Sequence, residues 1–175
     1  MMNLLRTNKY ASGLLLIIRV YLGYEWFIHG LEKVRGGAFD ATGFLNNIIA
    51  NPVKGPDGTA LYPIYNSFIE TIALPNVGII NILIPWGEVL VGLGLLLGLF
   101  TTAAVVSGLL MNFLFVFGGT VSTNPAMIIL GFIILAAGAN AGKLGGDYYL
   151  LPWIKGTIFK NNKHSRYSID EQPAH

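Results

Sequence analysis

The sequence predicts an all-α membrane protein: a four-transmembrane-helix bundle with short amphipathic helices in a long first extracytoplasmic loop. Three observations carry this reading. Of the 175 residues, 53% are hydrophobic and only 11% charged, whereas soluble domains carry about 25% charged residues. Apolar runs of roughly spanning length recur along the chain. The few charges inside those runs, Arg19, Glu25, His29 and Glu88, must be answered from within the protein, because an ionised side chain at membrane depth costs roughly 2.5–3.5 kcal/mol. The length suits one bundle over residues 1–154, followed by a polar cytoplasmic tail over 155–175 that reads as disordered. The chain contains no cysteine, which excludes a disulfide scaffold, thiolate metal sites and Fe–S ligation within it.

The first span is expected over residues 11–31. A basic start with Arg6 and Lys9 precedes it, as in a signal peptide. The run has the ~20 residues that a spanning helix needs, and no A-x-A-like cleavage site follows. Residues 32–76 form the long connection. Its first part, ATGFLNNIIANP (Ala41–Pro52), reads as a short helix stopped by proline, and KGPDG (Lys54–Gly58) as a turn. Tyr62–Leu74 sets Ile64, Tyr65, Phe68, Ile69 and Ile72 opposite Asn66, Ser67 and Glu70. That is an amphipathic helix, lying on the membrane surface or folded over the bundle. Three further spans are expected over 77–100, 102–118 and 124–140. The last opens on Asn-Pro, a favourable helix start. The short links GLFTT and GGTVSTN make these helices antiparallel neighbours.

Basic residues set the orientation. Arg6, Lys9, Lys143, Lys155, Lys160, Lys163 and Arg166 fall on the side of the two termini, while the loop carries Lys33, Arg35 and Lys54. The positive-inside bias puts both termini in the cytoplasm and the long loop outside. Tyr148, Tyr149 and Trp153 suit an interfacial belt.

The polar groups suggest a site. Taking Leu31 as the outer end of the first span, Arg19 lies roughly 18 Å down it; Glu88 lies roughly 15 Å from Gly78 in the second. Opposite charges at matched depth predict an Arg19–Glu88 ion pair, direct or through a ligand. Asn112 reaches mid-depth from the third span. Glu25 and His29, four residues apart, share a helix face that Lys33 continues outward. Arg19, Glu25, His29, Glu88 and Asn112 are therefore the candidate binding residues, with Asn140 a further polar group near the end of the last span. Each also has a plain structural reading: the ion pair as a clamp, Asn112 as interhelical glue, and Gly94-x-x-x-Gly98 and Gly138-x-x-x-Gly142 as packing glycines. No metal site is expected. With His164 and His175 in the tail, bis-His haem within one chain is not expected either.

RVYLGYEWFIHGLEK (Arg19–Lys33), with its Gly30-x-x-Lys33 ending, and GEVLVGLGLLLGLFTTAA (Gly87–Ala104) together resemble the DoxX/DoxD family of small four-helix membrane proteins. The resemblance covers roughly Ala11 to Pro152, and Arg19, Gly23, Gly30, Lys33 and Glu88 match its pattern. It implies a bundle in the plasma membrane and an association with quinone handling, as in the membrane subunit of a thiosulfate:quinone oxidoreductase, or with oxidative-stress defence. The first functional expectation is a redox-associated subunit that binds a quinone or similar apolar small molecule. In it Arg19 donates hydrogen bonds, and Glu25, Glu88 or His29 carries protons. Electrons then come from the substrate or a redox partner protein. The alternative is non-enzymatic: a lipid- or metabolite-binding module, a scaffold or a small transporter, with a homo-oligomer as one way to build a transport path. A third reading makes the charges purely structural. The lipid bilayer is the expected partner throughout, and no nucleic acid is expected.

Overall fold

In the computed structural model, residues 2–37, 39–154 and 156–157 are described, and among them the regular structure is helical. In chain order the helices are α1 (Met2–Thr7), α2 (Lys9–Gly36), α3 (Thr42–Ala50), α4 (Pro63–Phe68), α5 (Val77–Leu97), α6 (Thr101–Phe117), α7 (Asn124–Ala137) and α8 (Ala139–Gly142). A π-helical turn, Ile69–Ala73, continues α4. A last helical stretch covers 147–154. The tail expected to be disordered lies outside the described residues, apart from Gly156 and Thr157, which are helical.

Two helices, α2 and α5, are long and apolar enough to cross a membrane; α6 and α7 are shorter apolar helices. Helix α2 begins where Asn8 Oδ1 accepts from the Tyr10 N–H at 2.7 Å, and it runs to Gly36, well past the expected end at Leu31. Lys33 and Arg35 in its last turn complement the helix dipole. Helix α7 stops at Gly138, where the chain turns before α8, so the expected fourth run is two helices.

Helices α2 and α5 pack antiparallel and closer than side chains normally allow. A Cβ on Gly23 would lie 2.8 Å from the Leu96 nitrogen, one on Gly30 2.6 Å from the Val89 nitrogen, and one on Gly92 2.5 Å from the Phe27 nitrogen. Backbone therefore meets backbone at three levels, in the manner of small-residue helix contacts. Of the expected packing glycines, Gly94 lies close against Ala104 of α6 and Gly142 against Asp147, while Gly98 and Gly138 have positive φ and end their helices. Around this pair, Leu15, Leu22, Trp26, Leu95, Leu109, Met127 and Ile134 form the main core.

The long connection folds over the end of the bundle as a cap. Its α3 and α4 agree with the expected short helices. Ala41, Leu45, Ile48, Ile69 and Ala73 make a second small core. The Tyr65 hydroxyl donates to the Leu114 carbonyl at 2.8 Å, and Phe44 meets Phe115 edge-on, so the cap is fastened to α6. Of the expected apolar stripe, Ile69 is buried while Ile64 is 87% exposed.

Candidate functional site: a lysine–glutamate pair beneath an aromatic cap

The three glycine contacts fix the register of α2 against α5. Glu88 lies level with Leu31, within a turn of Lys33, and Arg19 lies level with the end of α5. Arg19 and Glu88 are thus separated by roughly twelve residues of helix, about 18 Å at 1.5 Å per residue. The expected Arg19–Glu88 pair does not form. Leu31 and Gly78 are not level: α2 continues to Gly36, and the start of α5 rises beyond that end towards the cap.

Glu88 pairs instead with Lys33, whose Nζ lies 2.5 and 2.6 Å from the two carboxylate oxygens. Glu88 is 2% exposed, so the pair is charge-assisted and bidentate at the acid. Gly30 makes this possible, since a Cβ there would lie 2.8 Å from the Glu88 Cβ. The Lys33 ammonium also sits 5.6 Å from the Phe39 ring centroid, a cation–π distance.

Lys33 forms one wall of a cleft of about 250 Å³ under the cap, with Phe39, Asp40, Phe44, Ile84, Phe115 and Thr120 among the others. Phe44, Ile84 and Phe115 also line a neighbouring cavity of about 220 Å³. That second space is apolar throughout, bounded by Leu45, Phe68, Ile69, Ile80, Leu83, Met111 and Leu114. Its Tyr65 hydroxyl is already committed to Leu114. The charged, aromatic cleft and the apolar space adjoin, with Phe44, Ile84 and Phe115 common to the walls of both. Asp40 closes the polar side: its Oδ1 accepts from the Thr42 N–H, the Thr42 hydroxyl and Asn81, which holds its carboxyl below the usual carboxylate range.

The other candidates stand apart from this cleft. His29 is 56% exposed, with Glu25 at 3.6 Å and Glu32 at 3.8 Å, so this group lies along the outer face of α2. Asn112 is buried in the middle of the core beside Trp26 and Leu109, with its Oδ1 lacking a protein partner. Asn140 is a fastener: its Oδ1 accepts from Ser12 at 2.7 Å and its Nδ2 donates to the Leu5 carbonyl at 2.7 Å. Glu88, the Glu25–His29 pair, Asn112 and Asn140 therefore do not converge on one site.

Arg19 belongs to a different structure at the far end. Its Nη2 donates to the Leu144 carbonyl at 3.0 Å, and the guanidinium fills the space between Gly98 and Gly145. Asp147 supplies the opposing charge. The Asp147 carboxylate also accepts the backbone N–H groups of Phe100 at 2.7 Å and Thr101 at 2.9 Å, capping α6. Arg19 Nε and Nη1 and Thr101 Oγ1 have no protein partner.

Sequence reasoning missed Lys33 and Asp147 as site residues. Lys33 carried a signal, as the outward continuation of the Glu25–His29 stripe and as part of Gly30-x-x-Lys33. Asp147 carried none, because only the chain reversal after α8 brings it to α6. No match is found among curated proteins or solved structures. A DoxX family profile matches residues 14–123, a stretch that holds α2, the cap, α5 and α6. That stretch is more than half of the chain and includes both partners of the lysine–glutamate pair, so the protein belongs to the DoxX family.

Proposed function

We propose that the protein spans the plasma membrane four times with both termini in the cytoplasm. In this reading the cleft under the cap binds a quinone or a similar apolar molecule with a carbonyl head, as part of a redox-associated assembly. The observation that carries this is Lys33, held by a buried Glu88 at the wall of an aromatic cleft that adjoins an apolar cavity. A quinone ring suits aromatic walls, its carbonyl oxygens accept from an ammonium, and its hydrocarbon tail requires an apolar channel. Reduction to the quinol takes two electrons and two protons. The electrons come from a reduced substrate or partner protein, and the Lys33–Glu88 pair stands where it can hand a proton to a carbonyl oxygen.

The test is quinone binding by the purified protein, read by quenching of tryptophan fluorescence. The Lys33→Met/Glu88→Leu double variant removes both charges together and so keeps the cavity wall apolar. We expect it to stay folded and to bind at least tenfold more weakly, since charged hydrogen bonds contribute about 1.5–3 kcal/mol. Undiminished binding in that variant would move the site elsewhere.

A non-enzymatic reading has one observation in its favour. The inner cavity has no uncommitted polar side chain, because the Tyr65 hydroxyl is used. Such a space holds an acyl chain as readily as an isoprenoid one. Competition between a fatty acid and a quinone of equal tail length separates the two: lipid binding predicts equal displacement, and quinone binding predicts a preference that vanishes with Lys33.

A further inference from the structure

At the end of the molecule opposite Lys33 there is a second cleft, of about 420 Å³. It opens between α1, α8 and the helix over 147–154. Arg6 and Lys143 line it, with Asn140 as a further polar group and Tyr148 and Leu151 as apolar walls. The acid among its lining residues is Asp147, and that charge is already answered. Its two oxygens accept backbone N–H groups at 2.7 and 2.9 Å, and Arg19 opposes it from behind. Arg6 and Lys143, by contrast, form no ion pair among the described residues. Arg6 is held at the cleft because its Nε donates to the Ala136 carbonyl at 3.1 Å, at the C-terminal end of α7.

Two unanswered cations beside an apolar wall suit a ligand that is anionic at one end and oily at the other. We infer that this cleft holds the phosphate headgroup of an anionic membrane phospholipid. Arg6 and Lys143 take the phosphate, and Tyr148 and Leu151 lie against the glycerol and the first methylenes. The inference rests on the membrane-spanning part of the proposed function and not on the quinone. Its charge logic is that of basic pockets that select anionic lipids near the membrane surface.

The experiment reconstitutes the full chain into vesicles of phosphatidylglycerol, of phosphatidylcholine, or of both, and reads retained lipid by native mass spectrometry. Wild type is expected to retain phosphatidylglycerol preferentially. The Arg6→Gln/Lys143→Gln variant loses that preference, by about fivefold per cation removed. An Arg35→Gln/Lys54→Gln control, which removes two cations at the cap end, keeps it. Lys143→Gln alone changes an exposed side chain and so preserves the fold; it is expected to lose about half of the effect on a logarithmic scale. Full preference in the Lys143→Gln and double variants overturns the site. Inorganic phosphate that displaces the lipid, or is retained as well without it, overturns the lipid assignment. A chain that inserts into both vesicles without preference also rejects the site and leaves the membrane reading intact, whereas failure to insert into either rejects the membrane reading itself.

Discussion

Arg19 and Glu88 are buried to the same degree, 1% and 2% exposed, yet the two ends of the molecule treat them in opposite ways. Around Arg19 the chain is closed. Glycine backbones form the walls, the Gly146 N–H bonds the Leu97 carbonyl at 3.0 Å, and the Asp147 N–H bonds the Gly98 carbonyl at 2.7 Å. The guanidinium takes up the remaining space and locks the α5–α6 link to the segment after α8. Around Glu88 the chain is open, because its partner Lys33 faces a cleft. Burial alone therefore does not mark a functional charge. Glu88 holds a lysine that itself faces free volume and can serve a ligand. Arg19 is packed between glycine backbones, and its partner Asp147, though it lines the cleft of about 420 Å³, has both oxygens committed to N–H groups.

The sharpest way to break this contrast is to fill each space. Valine at Gly98 has a φ of +64° to adopt, and its Cβ would land on the Arg19 guanidinium. The backbone strain alone is about 1–2 kcal/mol, and displacing a buried arginine adds several more. We expect Gly98→Val to leave no folded, monodisperse protein after detergent extraction. Thr120→Leu, which adds bulk to the cleft at an exposed position, should stay within about 0.5 kcal/mol of wild type. Equal yields from the two variants would erase the distinction between a closed and an open end.

The next effect is on the pair itself. Glu88→Leu strands the Lys33 ammonium, whose side chain is 30% exposed. Breaking a fully buried pair costs about 3–5 kcal/mol, and access to the cleft should reduce this to about 2–3 kcal/mol. Adding Lys33→Met should restore stability to within about 1 kcal/mol of wild type. Thermal unfolding in detergent reads both. A double variant no better than the single one would mean that the pair holds the helices together and is not merely accommodated by them.

Much of the fold was legible because the signals are local. Apolar runs gave the long helices, the Asn124–Pro125 start gave α7, and the proline after Asn51 gave the end of α3. The candidate charges were legible too, as ionisable groups in apolar runs. Their partners were not. A depth counted from Leu31 and from Gly78 takes the two as level, whereas the register is fixed by the backbone contacts of Gly23, Gly30 and Gly92. By that register Gly78 stands about ten residues, roughly 15 Å, beyond Leu31, and treating them as level is what opposes Arg19 to Glu88. Lys33 was assigned to the outer surface for the same reason. Leu144 and Asp147 come to Arg19 only through the reversal at 143–146, which no periodicity encodes.

A smaller effect tests the closed end without refilling it. Asp147→Glu keeps the charge that opposes Arg19 but adds a methylene, which displaces the oxygens that receive the Phe100 and Thr101 N–H groups. Phe100 sits at a φ of +50°, a conformation that a phenylalanine adopts only when held. The loss should be about 1–2 kcal/mol, that of a helix cap, seen as a lowered midpoint of thermal unfolding. Ligand binding at the open end should not change, and a change there would show that the two ends communicate.

The smallest effect concerns the fastening of the cap over the open end. Tyr65→Phe deletes the hydroxyl bonded to the Leu114 carbonyl, at about 1 kcal/mol. Burial pushes the Tyr65 phenol up to about 12 from its ordinary 10.0. The folded state therefore resists ionisation that the unfolded state accepts. The stability tied to this residue is fully present below pH 10, falls as pH rises above that value, and is lost as pH passes about 12. The tyrosinate absorbance of wild type should show one late-titrating tyrosine that is missing from the variant, and identical alkaline titrations would place the hydroxyl in water. Because this fastening joins a neutral donor to a neutral carbonyl, the cap can lift from α6 without separating buried ions. The closed end has no such freedom, since parting α6 from the 144–147 segment would strip Asp147 from two N–H groups and leave Arg19 unanswered.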